Sequence, residues 1–273
     1  MLDFLTMLVQ YRFLQYALIA GLLAAIVCGV MGTFVVLRRI SMVSGGISHA
    51  VMGGVGIAYF IHFPVFWGAL IFAVLTAIII SLVRERAAQR EDTLISALWA
   101  IGMAVGVIFM ALTPGYNVDL FSFLFGNILM VAPADLIRLS VLAGLVVLVV
   151  FFTYRQLLAV SFDPEFARLR GLRVGALSAL LLVLVAVTVV ILIQAVGLIL
   201  VIALLTLPAA TVALFADTPI RLMAWATLVG LFCNWTGLFA AFQLDLPPGA
   251  TIILLSGILY ITGLIVQMHR KRN

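Results

Sequence analysis

Residues 13–37, FLQYALIAGLLAAIVCGVMGTFVVL, and the residues 38–56 that follow them, RRISMVSGGISHAVMGGVG, decide the fold class of this chain. The first stretch is uncharged and longer than the roughly 20 apolar residues an α-helix needs to cross about 30 Å of hydrocarbon. The second opens on a basic pair, Arg38 and Arg39, that stops the span, and then carries Ser41, Ser44, Ser48 and His49, the only histidine within an apolar run. Polar groups beside hydrocarbon are costly unless partnered, so this stretch is the first place to look for a site.

Apolar runs continue to the end of the chain, at about Gly46–Ile61, Val65–Leu82, Thr93–Leu112, Leu136–Tyr154, Val174–Ile193, Val196–Phe215, Leu222–Phe242 and Ala250–Met268. None alternates with the period of two that a membrane barrel requires. Of 273 residues, 66% are hydrophobic and 9% charged, with mean hydropathy +1.34, whereas an ordinary soluble domain has roughly 25% charged residues. The expectation is an all-α polytopic membrane protein of about nine spans, range eight to ten, forming a single transmembrane domain over residues 1–273. Residues 1–12 read as a short amphipathic entry segment, and the first apolar run, too long for a signal-peptide core, as a retained span. Tyr116–Pro133 is polar at its start and short, and reads as an outer interfacial or re-entrant segment.

The net charge of +5 does not call for nucleic acid, because the basic residues sit in short loops between spans. With nine spans, thirteen of the 15 Lys and Arg fall on one side, leaving Arg12 and Arg138 opposite. The positive-inside rule then places the N-terminus outside and the C-terminus inside a cell membrane, with Arg38 and Arg39 as topology determinants. Cys28 and Cys233 lie inside spans without a CxxC pair and read as small hydrophobes.

Several chemistries lack their groups. HExxH, GxSxG and paired acids within spans are all missing, and the single lysine, Lys271, leaves no GxxxxGK[ST] loop, so the chain is not expected to be an enzyme and any ATP is held by another subunit. Asp3, Asp119, Asp135 and Asp245 fall towards the outer face and the other acidic residues inside, so no acid stands at mid-span for proton or sodium coupling. That pattern fits a conduit worked by an external motor.

On a helix, Gly45, His49, Met52 and Gly56 share a face, with Ser41, Ser44 and Ser48 on an adjacent one. Imidazole suits zinc and similar borderline metals, thioether softer ones, and hydroxyls serve as weak ligands, so the histidine is read either as a relay site or as a side chain bonded to a neighbouring helix. Ala17, Gly21, Ala25, Gly29 and Thr33 make a small-residue stripe, and Gly102 with Gly106 a GxxxG pair, both suited to close helix packing. The polar segment SFDPEFARLRGL holds a short helix from Pro164 to Gly171, either a docking surface for a soluble partner or a solvated loop.

Taken in order, FVVLRRISMVSGGISHAV (34–51), DTLISALWAIGMAVGV (92–107), VDLFSFLFGNIL (118–129), FDPEFARLRGL (162–172) and LLTLPAATVALFA (204–216) resemble the zinc/manganese-type membrane permeases of ABC importers over nearly the whole chain. The resemblance implies a permease fold of the vitamin B12 type (type II), used as a homodimer or paired permease. It implies cytoplasmic ATPase subunits docked on Asp163, Pro164, Glu165, Arg168 and Gly171, and an extracytoplasmic binding protein delivering the metal ion. His49 matches the family's ISHA histidine and Asp119 its VDL aspartate, candidate ligands on the pathway and on the outer side. Ser44, Ser48, Met52, Thr206, Pro208 and Thr211 are then pathway residues. Two positions depart: Gly45 stands where many members have an aspartate, and Asn127 where many have another.

The function expected from the resemblance is import of a divalent transition metal, zinc first, with manganese or iron as the other choices, and no stably bound cofactor. The alternatives are a permease for a chelated metal or cofactor, or an autonomous channel or proton-coupled carrier.

Overall fold

A computed structural model describes residues 10–86, 91–114, 126 and 128–270. Among them are ten α-helices: α1 (Arg12–Leu37), α2 (Ser41–Phe60), α3 (Val65–Arg86), α4 (Glu91–Leu112), α5 (Pro133–Phe162), α6 (Pro164–Leu169), α7 (Val174–Val196), α8 (Leu198–Ala213), α9 (Pro219–Leu244) and α10 (Pro248–Arg270). Eight are long and apolar enough to cross a membrane, and α8 is a shorter apolar helix. All nine expected spans therefore fall on helices, and no strand occurs among the described residues.

The boundaries move where backbone chemistry overrides apolarity. Helix α2 starts at Ser41 rather than Gly46, and α5 runs on to Phe162, well past the charge of Arg155. The sixth and seventh spans part at Gly197 and not at Gln194. Gly197 has φ +84°, a conformation that glycine adopts freely, and Gly126, at φ +60°, packs directly on its backbone. The turn after α2 closes with His62 at φ +55° and the Phe63 N–H donating to the Ala58 carbonyl at 2.8 Å, a Schellman-type end that Pro64 follows. Residues 1–9 of the expected entry segment, and most of the expected re-entrant one, lie outside the described residues; its far end shows a 3₁₀ turn at Ile128–Met130.

The chain forms two compact units. The first comprises Met1–Val36, Phe121–Val147 and Ile191–Asn273. Here the small-residue stripe of α1 meets α9 in antiparallel register, Gly21 against Asn234, Ala25 against Gly230 and Gly29 against the backbone of Thr227. Asn234, buried, donates to the Gly230 carbonyl at 3.0 Å and the Gly21 carbonyl at 3.4 Å, tying the two helices together. Helix α10 closes on α8 and α9, with Gln267 Nε2 donating to the Leu214 carbonyl at 3.0 Å and Ile252 seated on Gly237.

The second unit comprises Leu37–Leu120 and Leu148–Val190, and α2 is its core helix. Lipid tails are as apolar as leucine, so membrane helices gain little from apolar burial alone and associate through close van der Waals contact. A methyl group at Gly102 would lie 2.6 Å from Ala50 Cα, and one at Gly106 2.5 Å from the Met52 carbonyl oxygen. Helices α2 and α4 therefore touch backbone to backbone. Gly54 and Gly68 bring α3 onto α2 in the same way.

Overpacking such a contact costs about 1–3 kcal/mol. Gly106→Ala is accordingly expected to lower the melting temperature of the purified protein in detergent by several degrees. Gly144→Ala, where a methyl group meets nothing within 4 Å, leaves it unchanged or slightly raised.

Candidate functional site

The chain turns sharply between α1 and α2. Arg39 adopts φ +56°, unusual for a residue with a side chain, and Ile40, buried, stands as the N-cap with its carbonyl accepting from Ser44 N–H at 3.1 Å. Arg38, part-buried, donates from both terminal nitrogens to Ser178 Oγ at 3.2 and 3.3 Å. The basic pair thus forms the entry to the helix that carries His49.

Along α2, Ser44 Oγ donates to the Ser41 carbonyl and Ser48 Oγ to the Ser44 carbonyl, each at 2.8 Å. Both residues are fully buried, and bonding to the preceding turn satisfies their protons at little cost. Their oxygens keep lone pairs, but their protons are committed. Met52 is also buried.

His49 is half-buried and stacks on Trp99 of α4, with ring centroids 4.2 Å apart and planes within 7°. The indole N–H of Trp99 donates to Met103 Sδ at 3.1 Å, which fixes the ring. His49 Nδ1 is buried and has no hydrogen-bond partner. A methyl group at Gly45, one turn earlier, would meet nothing within 4 Å, so the helix surface beside the imidazole is open. The arrangement holds the imidazole face to face with an indole and leaves its buried Nδ1 without a hydrogen-bond partner.

Trp99 and Met103 were not among the residues singled out from the sequence. The signal was present, because Trp99 lies three and seven residues before Gly102 and Gly106 and so shares the face that packs on α2.

The other expected pathway residues belong to α8 in the first unit. Thr206 and Thr211 donate to the Ile202 and Leu207 carbonyls at 2.7 and 2.8 Å. Pro208 lies inside the helix and is buried; its ring nitrogen cannot bond the Leu204 carbonyl, which weakens the helix there. Thr211 also lines a cavity of about 360 Å³ with Phe215, Asp217, Arg221 and Trp225.

The polar segment is a capped helix. Asp163, in extended conformation, accepts from the Phe166 N–H at 2.9 Å, Pro164 occupies the first turn, and Gly171 at φ +78° follows the end. Ala167 is buried against Val160 and Val174. Glu165, Arg168 and Arg170 are exposed, and so are Phe162, Phe166 and Leu169, the last 87% exposed. The segment thus presents exposed apolar side chains framed by charge.

Asp119 and Asn127 lie outside the described residues. Among those described, no three His, Cys, Asp or Glu side chains come together, and Cys28 and Cys233 are buried and free.

Replacing a carboxylate N-cap by alanine typically costs about 1 kcal/mol. Asp163→Ala is therefore expected to speed hydrogen exchange at the amides of α6 several-fold. Exchange on α2 should stay as it was.

The family model of the ABC 3 transport family matches residues 10–267. The chain is similar to the manganese import system permease protein ScaB of Streptococcus parasanguinis, 34% identical over 271 residues and covering 99% of this chain and 96% of that one. Its fold matches PsaBC from Streptococcus pneumoniae, solved in complex with Fab, at TM-score 0.86 and 32% identity, covering 96% and 94% of the two chains. It also matches an inward-facing metal-chelate type ABC transporter at TM-score 0.74 and 16% identity, over 92% and 85% of the two chains, a likeness of fold alone.

Proposed function

The chain belongs to the ABC 3 transport family, and from that premise we propose that it is the membrane permease subunit of an ABC importer that moves a divalent transition metal into the cytoplasm. The observation that carries this reading is the joint presence of two features in one unit: an imidazole held on an apolar helix, and a capped, outward-facing docking helix. ATP is hydrolysed by a separate cytoplasmic subunit that docks on Phe162, Phe166 and Leu169, oriented by Glu165, Arg168 and Arg170. A binding protein outside the membrane supplies the ion, and two copies of the chain pair to form the pathway. The N-terminus lies outside and the C-terminus inside, as the basic loops demand.

In this reading His49 presents its half-exposed imidazole to a passing ion while the Trp99 stack keeps the ring in one orientation. A single imidazole binds weakly, which suits an ion that must leave again. Asp119 serves on the outer side, and Thr206, Pro208 and Thr211 of α8 are further pathway residues. The identity of the ion divides between two observations. An imidazole without a neighbouring carboxylate favours zinc, because manganese prefers oxygen ligands. The name of the Streptococcus parasanguinis relative favours manganese.

Purified with its ATPase, the permease is expected to hydrolyse ATP faster when the metal-loaded binding protein is added, and no response to any loaded binding protein would overturn the importer reading. His49→Ala should lower metal uptake at least several-fold while the complex still assembles; normal uptake would make His49 a packing residue. Gly45→Asp fits the open space beside His49, and uptake assays with the two ions in competition should show it shifting preference towards manganese.

A further inference from the structure

We infer that Arg38 and Ser178 form the joint through which movement of the docking helix reaches the helix that carries His49. This rests on the importer reading and goes beyond it, since neither residue touches the ion or the ATPase in that account. Both are positioning residues.

The geometry runs through the first turns of α7. Helix α6 is fastened there, with Ala167 buried against Val174 and the Leu172 N–H donating to the Ala167 carbonyl at 3.1 Å, while Leu172 and Leu177 pack on the same cluster. One turn further along α7, Ser178 Oγ accepts both hydrogen bonds of Arg38. Arg38 stands in the turn immediately before α2, whose start has no side-chain cap of its own. A displacement of α6 thus has a short, polar, directional connection to α2.

A second contact grips the same turns from α3. The Glu85 carboxylate lies against Gly175, beside the positive end of the α7 dipole, and α3 in turn packs on α2 through Gly68 and Gly54. Ser81, Arg84, Glu85, Arg168, Gly175 and Ser178 surround a cavity of about 190 Å³. Space of this size beside a hydrogen-bonded pair lets the charged groups rearrange without opening an apolar core. Two helices that contact α7 by polar ends, and each other by glycines, can be biased together by one movement, which is the physical requirement for coupling.

The test is the number of ATP molecules hydrolysed per metal ion imported by the permease–ATPase complex in proteoliposomes supplied with loaded binding protein. Ser178→Ala and Arg38→Ala are each expected to raise that ratio about threefold or more, with the double variant no worse than the stronger single one, because residues acting through one contact are non-additive. ATPase binding and the ATP hydrolysis measured without binding protein should not change, and Ser178→Thr, which keeps the hydroxyl, should restore the wild-type ratio. Ser178→Ala alters no charge in the turn, so it decides the matter if Arg38→Ala fails to insert. An unchanged ratio in Ser178→Ala, or effects of the two substitutions that multiply independently, would overturn the joint while leaving the importer reading intact. Failure of the wild-type complex to import would instead overturn that reading and the joint with it.

Discussion

The contact on which the second unit depends is the one between the backbones of α2 and α4 at Gly102 and Gly106. Helices in lipid cannot rely on expelling water from between apolar side chains, so attraction comes from atoms brought close, and only residues without side chains bring main chains this close. Once Gly102 sits on Ala50 and Gly106 on Met52, Trp99 has one place to go. It covers His49, and Met103 holds the indole in turn. The glycines do no chemistry, yet they set the distance at which the imidazole meets its partner.

The same economy governs the polar atoms. Serine and threonine hydroxyls within the helices bond to carbonyls one turn back, at Ser44, Ser48, Thr206 and Thr211, which keeps them tolerable in hydrocarbon and leaves helix ends and loops to carry the charge. Arg38, Glu85 and Arg168 gather around the start of α7, while Asp163 caps α6 and so fixes the direction in which Phe166 and Leu169 face. The spans are thus quiet, and the charge gathers where helices end. A proton-coupled carrier would need ionisable groups within the spans themselves.

Apolar run length was enough to read the helices, since each expected span lies on a helix. The stripe in α1 was legible for the same reason, because a four-residue repeat of small side chains has no use except close packing. Boundaries were less legible. Gln194 is polar and looked like a break, yet one polar residue can stay helical by facing outward, while Gly197 ends the helix through its backbone. The capped helix at Asp163 could be read from Pro164 and Gly171, whose constraints are local. The Trp99 stack could not be read in the same way, because it depends on how two helices dock, and the histidine and tryptophan stand far apart in sequence. Asp119, named from resemblance, lies outside the described residues and owes nothing to the structure.

The central claim, that this chain is a conduit driven by a separate ATPase, is tested most directly by metal accumulation in proteoliposomes. Permease alone should carry neither zinc nor manganese, whereas permease with its ATPase, ATP inside the cytoplasmic compartment and loaded binding protein outside should accumulate the ion against its gradient. Downhill flux through the chain alone, unaffected by ATP or ATPase, would contradict the account.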